Sequence, residues 1–165
     1  MSISKNNVLK EICPIIENNV LFYPCSVLTT EGQKEISYIV DKQAYFNYTM
    51  GLYKDSKYFN HFCQNDIVEI YKSEIRLPFK IAQEIYDFGE TRMGGRSFLL
   101  IFDDKSEQHY ETGSFVDFLE YPLNKSAKRV INVKGGNQSD NKYLKSMEPI
   151  NIFLIENLQL LMQKQ

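Results

Sequence analysis

Residues 20–40 read VLFYPCSVLTTEGQKEISYIV, and this stretch indicates the fold class of the chain. Its two ends, VLFYPCSVL and EISYIV, are rich in β-branched and aromatic residues, which favour strands. The polar TTEGQK between them is typical of a hairpin connection, so the two strands are expected to pair antiparallel. Pro24 cannot donate a main-chain hydrogen bond, and it is therefore expected at an edge or a bulge.

Further strands are predicted along the chain. DIVEIYK at 66–72, SFLLIFDD at 97–104 and KRVINVK at 128–134 are strand-like in composition. QHYET at 108–112 can pair back on the second of these through a turn in DDKSE. AYFNYTMGLY at 44–53 alternates in apolar character and favours another strand, although the same residues could line a helix.

Helices are predicted between these strands. The clearest spans 78–89, where a proline occupies a favourable first position and a glycine follows as a stop. A short helix, or one that restarts at Pro14, is expected within 5–19, because that proline removes a main-chain donor. Another short helix is expected from Ser56 through Phe62, and 113–122 favours a short helix or a turn.

The C-terminal segment carries the apolar stripe of a core-facing helix, at Leu154, Ile155, Leu158, Leu161 and Met162. Ile152, Phe153 and Leu160 widen this stripe, so either the domain itself or a partner is expected to cover it. With three or four helices, about six strands and no βαβ repeat, residues 1–165 are predicted to form a single α+β domain. Its sheet is expected to be mainly antiparallel, and its C-terminal helix amphipathic.

Composition excludes several classes of protein. The chain has 165 residues, of which 24% are charged, and a formal net charge of -2, so neither a disordered acidic tail nor a uniformly basic nucleic-acid coat is expected. Its three cysteines form no C-x-x-C pair, which argues against a disulfide framework or a zinc ribbon. Because no signal-peptide pattern or membrane-length apolar window is found, we expect a cytoplasmic protein with no membrane partner.

No catalytic constellation stands out in the sequence. The motifs G-x-S-x-G, P-loop and G-x-G-x-x-G are absent, and two histidines cannot build a histidine-rich metal centre. His61-Phe62-Cys63 would place a base and a thiol on one face of a strand, but the stretch looks helical and no orienting group can be named. We therefore predict no enzymatic activity, no metal and no cofactor.

The segment FGETRMGGRSF at 88–98 is the first candidate for binding. Arg92 and Arg96 could hold a carboxylate or phosphate, since a guanidinium is a bidentate donor. Glu90 lies in the same segment, and Gly94 and Gly95 allow another main chain or a ligand to approach closely. The alternative is a helix-to-strand loop with a Glu–Arg bridge. His109 and Glu111 would share one face of a strand, as a small acid/base pair or as a plain surface contact.

Charge is unevenly distributed along the sequence. Residues 124–146 carry a net charge of +5, which leaves -7 for the rest of the chain, and 66–120 holds 12 acidic residues. An acidic face is therefore predicted to include Asp103, Asp104, Glu107 and Glu111, although an Asp-Asp step is also typical of a hairpin turn. A basic segment that could contact an anion or nucleic acid contains Lys125, Lys128, Arg129, Lys134, Lys142 and Lys145.

Three functional hypotheses follow. The first is a non-enzymatic protein-binding module, such as a cytoplasmic immunity protein or inhibitor of a bacterial-type toxin–antitoxin pair that masks a basic, nuclease-like toxin. The second is a single-stranded nucleic-acid-binding domain, in which a sheet carrying Tyr45, Phe46, Tyr48 or Tyr53 stacks bases. The third is an enzyme of unrecognised type. Another protein is the expected partner, with nucleic acid second.

Overall fold

The structure is a computed structural model that describes residues 3–49, 57–91, 93–136 and 142–163. The chain divides into two compact units. The first unit consists of Met1–Glu74 and Glu148–Gln165, and the second unit of Ile75–Met147. Each unit contains one sheet and at least one helix.

The first unit is built on a six-stranded sheet. Its strands are β1 (Ile15–Glu17), β2 (Val20–Thr29), β3 (Gly32–Asp41), β4 (Phe59–Cys63), β5 (Ile67–Tyr71) and β10 (Ile150–Ile155). The order is β1-β2-β3-β10-β4, and β5 pairs with the remaining length of β2. β3, β10 and β4 run parallel to one another, whereas the pairs formed by β2 are antiparallel.

Three helices accompany this sheet: α1 (Ile3–Glu11), α2 (Lys42–Thr49) and α4 (Leu158–Gln163). Leu9, Phe153 and Leu158 belong to one buried cluster, which packs α1 and α4 on one face of the sheet. Side chains of successive strand residues alternate between the two faces, so the residues next to Phe153 point the other way. That second face carries α2, whose Tyr45 packs edge-on against Phe22 at 6.2 Å between ring centroids.

The second unit contains a four-stranded sheet and one longer helix. The strands are β6 (Arg96–Phe102), β7 (Glu107–Thr112), β8 (Val130–Gly135) and β9 (Tyr143–Leu144), in the order β8-β6-β7-β9, and the helix is α3 (Phe79–Phe88). β6 pairs antiparallel with β7 and β8, and β7 pairs parallel with β9. Phe98 stacks on Tyr110 at 5.3 Å between ring centroids in the core of this unit.

The α+β class is confirmed, with ten strands in two sheets and four helices among the described residues. The expectation of a mainly antiparallel arrangement is wrong, because both sheets are mixed. In the first sheet the reason is β10, which follows β4 by a long stretch of chain and lies between β3 and β4; in the second sheet it is β9, which pairs parallel with β7. A strand that returns by such a connection can lie parallel to its neighbours, whereas hairpin partners cannot.

Several local predictions are confirmed. The hairpin in 20–40 forms, the helix predicted at 78–89 spans Phe79–Phe88, and the strands predicted at 66–72, 97–104 and 108–112 are present. The strand predicted at 128–134 spans Val130–Gly135, after a turn of 3₁₀-helix at Ala127–Arg129. The N-terminal helix is short and ends before Pro14.

Two local predictions are wrong. The strand expected at 44–53 is α2 over its described part, and the amide of Ala44 is capped by the Asp41 carboxylate at 3.0 Å, which favours a helix start. Residues 50–53 lie outside the described residues. The helix expected from Ser56 through Phe62 is strand β4, because its main chain pairs with β10; Ser56 itself is outside the described residues.

The C-terminal helix is shorter than the stripe suggested. Leu154 and Ile155 belong to β10, and the helix in the described part of the C-terminal segment is Leu158–Gln163. The change occurs at Asn157, whose φ of 56° ends the strand, and the amide of Leu158 donates to the Asp41 carboxylate at 3.0 Å. Residues 113–122 form neither the predicted helix nor a regular turn: the segment is irregular, with bends at Ser114, Asp117 and Phe118 and an isolated antiparallel bridge between Leu119 and Ser146. Within the described residues, no helix has the length and apolar character needed to cross a bilayer.

Candidate functional site

The main concave site lies in the first unit, at the carboxyl ends of the three parallel strands. β3 ends at Asp41, opposite Ile155 of β10, and Leu154 of β10 lies opposite Cys63 at the end of β4. Each strand end is followed by a residue that lines the same pocket, at Lys42, Glu156 and Gln64. Crevices outside the carboxyl ends of parallel strands are the usual ligand sites of such sheets. The pocket encloses about 530 Å³.

The walls of this pocket are mostly apolar and aromatic. Tyr45 and Phe46 come from α2, and Leu154 from β10. His61 and Cys63 line the pocket together because residues two apart on a strand share one face. The stretch that looked helical is a strand, so His61 and Cys63 do lie on one face of it, as the sequence hypothesis of a base and a thiol required.

Tyr45 and His61 form the central polar contact of the pocket. The Tyr45 hydroxyl lies 2.8 Å from His61 Nε2, and the two rings are tilted by 55° at 5.6 Å between centroids. Tyr45 is only 3% exposed, so the side chains packed around its ring fix the position of its hydroxyl group. Burial lowers the pKa of His61 below its usual value, because the charged imidazolium loses solvation. At neutral pH the wall is therefore an uncharged hydrogen-bonding pair.

Two charged side chains stand at the rim. Lys42 Nζ lies 3.4 Å from Glu156 Oε1, with side chains 46% and 70% exposed. This pair joins the residue after β3 to the residue after β10, and its charges cancel. Beside it, the main-chain amide of Cys63 donates to the Asp66 carboxylate at 2.8 Å, which holds the end of β4 in place.

A metal centre is not formed by the side chains that the structure describes. Over residues 3–49, 57–91, 93–136 and 142–163, no three His, Cys, Asp or Glu side chains come together as a ligand set. The pocket itself contains one imidazole, one thiol and one carboxylate among its lining residues, of which the carboxylate is paired with Lys42.

The loop predicted to bind anions is used inside the second unit. Arg96 is 3% exposed, and its guanidinium donates to the carbonyl oxygens of Ser114 at 3.1 Å and Tyr86 at 3.4 Å. It also lies over the Tyr86 ring, at 4.9 Å from the centroid. Arg96 thus ties the end of α3 to the strand that follows. Glu90 is exposed, and Arg92 lies outside the described residues.

His109 and Glu111 come together as the sequence suggested, and Ser97 joins them. His109 Nε2 lies 3.1 Å from Glu111 Oε1 and 3.0 Å from Ser97 Oγ. In a hydrolytic triad the acid and the serine occupy opposite nitrogens of the imidazole. Here both contact the same nitrogen, and Ser97 and His109 are 3% and 4% exposed. The cluster is a buried polar network without the geometry of a serine nucleophile.

The acidic and basic segments of the sequence meet in the second unit. Asp103 accepts from Arg129 at 2.8 Å, and Asp104 is paired with Lys125. These contacts lower the pKa of both carboxyl groups, mainly through the hydrogen bonds from Arg129 and Lys125 respectively. Glu107 lies 3.8 Å from Lys134. Three acids of the predicted acidic face therefore neutralise three bases of the predicted basic segment.

The remaining predicted contact residues are dispersed. Lys128, Lys142 and Lys145 are exposed, and Lys145 lies over the Tyr143 ring at 5.9 Å. The aromatic residues proposed to stack bases on a sheet are placed on α2 instead, at Tyr45, Phe46 and Tyr48, while Tyr53 lies outside the described residues.

A buried ionic network was missed by sequence reasoning. Asp117 is fully buried, and it accepts from the Tyr86 hydroxyl at 2.6 Å and from Arg76 Nε at 3.3 Å. The same hydroxyl accepts from the Val116 amide at 3.0 Å. Burial, together with the nearby Asp117 carboxylate, raises the pKa of Tyr86 well above its usual value. The partners lie 30 to 41 residues apart in the sequence, so no local signal pointed to them.

Sequence reasoning also missed part of the pocket. Lys42 and Glu156 gave no signal, and Leu154 was predicted only as part of a helical apolar stripe, because their proximity depends on the parallel pairing of β3, β10 and β4. The alternation of His61 and Cys63 was the one sequence feature that could have indicated it. No protein-family model, curated protein or solved structure significantly matches this chain, so the candidate site stands on its geometry.

Proposed function

We propose that this chain is a non-enzymatic binding module whose site is the pocket at the carboxyl ends of β3, β10 and β4. The observation that carries the proposal is a pocket of about 530 Å³ whose lining combines apolar and aromatic side chains with a Tyr45–His61 hydrogen-bonding pair and with the polar residues Thr49, Gln64 and Asn65. Sites for small organic molecules typically enclose about 300–1,000 Å³ and combine apolar walls with a few placed polar groups. The occupant is a small organic molecule, bound reversibly.

Binding without bond chemistry is favoured by the contacts of the nucleophile candidates. Among the described residues, no hydrogen bond joins the Cys63 thiol to His61, whose Nε2 is held by the Tyr45 hydroxyl. A thiol nucleophile requires a contacting base or a comparable activating group. Ser97 is buried and lacks the triad arrangement.

The pocket is a stronger candidate for recognition than the predicted acidic surface. The predicted role as an immunity protein for a basic, nuclease-like toxin was based on an acidic excess suited to covering a basic cleft. Asp103, Asp104 and Glu107 each contact a basic residue of their own unit, which weakens their attraction for a basic partner. The same pairing weakens the case for a phosphate-tracking basic segment. A protein partner remains a prediction, and a pull-down at near-physiological salt tests it.

The cysteines of the chain allow a direct test of the pocket. Cys63 lines it and is exposed, Cys13 is exposed elsewhere in the same unit, and Cys25 is buried. The experiment is a screen of small ring compounds, measuring the rate at which N-ethylmaleimide modifies Cys63 and Cys13 by peptide mass spectrometry. A compound in the pocket should slow modification of Cys63 and leave Cys13 unchanged.

A matched pair of variants identifies the pocket as the cause. Phe46→Ala removes an aromatic wall that is 39% exposed, and it should abolish the protection. Tyr71→Ala removes a similarly exposed aromatic residue, at 43%, that does not line the pocket, and protection should persist. If no compound in a broad library slows modification of Cys63, or if Cys13 is protected equally, the proposed function is wrong.

A further inference from the structure

We infer that the occupant of this pocket is an uncharged aromatic ring compound bearing one hydrogen-bonding group, such as a carboxamide or a ring N–H. This inference rests on the proposed function, since it names the chemical class that the proposed site takes. Three independent features of the pocket support it: the nature of its walls, the charge balance of its rim and the polar pair between them.

The walls favour an aromatic ring. Phe46 packs edge-on against Tyr45 at 6.2 Å between centroids, and yet 39% of Phe46 stays exposed at the pocket. His61 adds a third ring, tilted against Tyr45. Aromatic rings gain energy from offset or edge-to-face contacts beyond the burial of their area. A flat ring lying against the exposed side of Phe46 and against His61 makes such contacts, whereas a saturated ring of the same size contributes only its area.

The rim favours an uncharged molecule. Lys42 and Glu156 are the only formally charged side chains that line the pocket among the described residues, and they are paired with each other. Asp66, close to the end of β4, is engaged by the Cys63 amide. A charged ligand entering an apolar pocket loses its hydration and finds no unpaired opposite charge. Neutral His61 adds none, because burial lowers the pKa of its imidazole.

The central pair favours a hydrogen-bonding group on the ring. The Tyr45 hydroxyl and His61 Nε2 share one hydrogen bond at 2.8 Å. The other imidazole nitrogen, Nδ1, has no hydrogen-bond partner among the described residues, and it donates or accepts according to the tautomer. A ligand amide offers both a donor and an acceptor, so it can satisfy either form. A ring without any polar group leaves this nitrogen unpaired.

The experiment compares four probes of nearly equal size at 5 mM and pH 7.5: benzamide, benzoate, benzylamine and cyclohexanecarboxamide. Modification of Cys63 and Cys13 by N-ethylmaleimide is followed in each. A molecule of this size that binds efficiently has a Kd of about 1 mM, so benzamide should slow modification of Cys63 roughly sixfold. The other three should slow it less than about twofold, and Cys13 should be unaffected.

Each outcome decides a different point. Protection by benzoate or benzylamine equal to that by benzamide overturns the uncharged class, and equal protection by cyclohexanecarboxamide overturns the aromatic class. If none of the four protects but a library compound of another class does, the inference fails while the proposed function survives. His61→Phe keeps a ring and removes the imidazole, so it should reduce the benzamide effect to below about twofold. Unchanged protection in this variant overturns the hydrogen-bonding requirement.

Discussion

Three tyrosines of the second unit provide a graded test of its buried polar contacts. The Tyr86 hydroxyl donates to the buried Asp117 carboxylate and accepts from the Val116 amide. The Tyr110 hydroxyl makes one neutral hydrogen bond, to the Glu120 carbonyl at 2.7 Å. The Tyr121 hydroxyl is buried and has no hydrogen-bond partner among the described residues. Substitution by phenylalanine removes the same single oxygen at each position.

The expected losses differ because the partners differ. A hydrogen bond to a buried charge is worth about 1.5 to 3 kcal/mol, and leaving a buried amide without a partner costs about 1 to 3 kcal/mol. Tyr86→Phe should therefore lower the free energy of unfolding by about 3 to 5 kcal/mol. Tyr110→Phe should lower it by about 1 kcal/mol. Tyr121→Phe should change it little, or raise it by up to about 1 kcal/mol, since an unpaired buried hydroxyl opposes folding.

The assay is urea unfolding followed by far-ultraviolet circular dichroism at pH 7, with the midpoint and the m-value fitted for each variant. A shift in midpoint at constant m reports a change in stability. The order Tyr86→Phe, then Tyr110→Phe, then Tyr121→Phe in decreasing loss is the predicted result. Equal losses for all three, or a loss for Tyr121→Phe as large as that for Tyr86→Phe, would refute the assignment of these contacts.

Three further predictions concern other parts of the chain. Because the folded pKa of His61 is lowered, the unfolded chain binds more protons than the folded chain below about pH 6.5. The contribution of His61 to stability is therefore full above that pH and declines as the pH falls toward the folded pKa. The stability difference between wild type and His61→Gln, measured by urea unfolding, should shrink over the same interval, and a constant difference contradicts this prediction. Arg96→Lys should destabilise the second unit by roughly 2 kcal/mol or more in a urea titration, because an ammonium cannot reach several carbonyls as a guanidinium does, and a change near zero would mean that these contacts do not matter. Maleimide should modify Cys13 and Cys63 in the folded chain and Cys25 only in urea, as peptide mass spectrometry can show; rapid modification of Cys25 without denaturant would contradict its burial.

The parts of the fold that could be predicted from sequence depend on neighbours in the chain. α3 begins after Pro78 and ends at Gly89, whose positive φ of 74° suits a residue without a side chain. The hairpins β2–β3 and β6–β7 form across short turns, so composition and turn residues were sufficient to predict them. In each case the deciding contacts span few residues, and the local preference agrees with the final structure.

The parts that could not be predicted depend on distant partners. The strand β4 looked helical in isolation, and only its pairing with β10, about ninety residues later, makes it a strand. The alternating segment at 44–53 was compatible with both structures, and the Asp41 carboxylate at the end of β3 decided for a helix. Both of these wrongly predicted elements, α2 and β4, contribute walls of the pocket. A site assembled by parallel pairing has no compact signature in sequence.

The charge segregation of the sequence shows how the same reasoning fails for surfaces. The turn after β6 carries Asp103 and Asp104, and the pairing of Phe102 with Val130 places that turn beside the start of β8. The amide of Asp103 then donates to the Arg129 carbonyl at 2.8 Å, so the main chain itself fixes the acidic turn against the basic segment. The net charge of a stretch of sequence therefore gives only the number of charged side chains, whereas strand register determines which of them remain unpaired. Because these acids and bases pair within one unit, attraction for an oppositely charged partner is reduced, and the pocket of the first unit, whose two charged side chains pair with each other, becomes the stronger candidate for recognition.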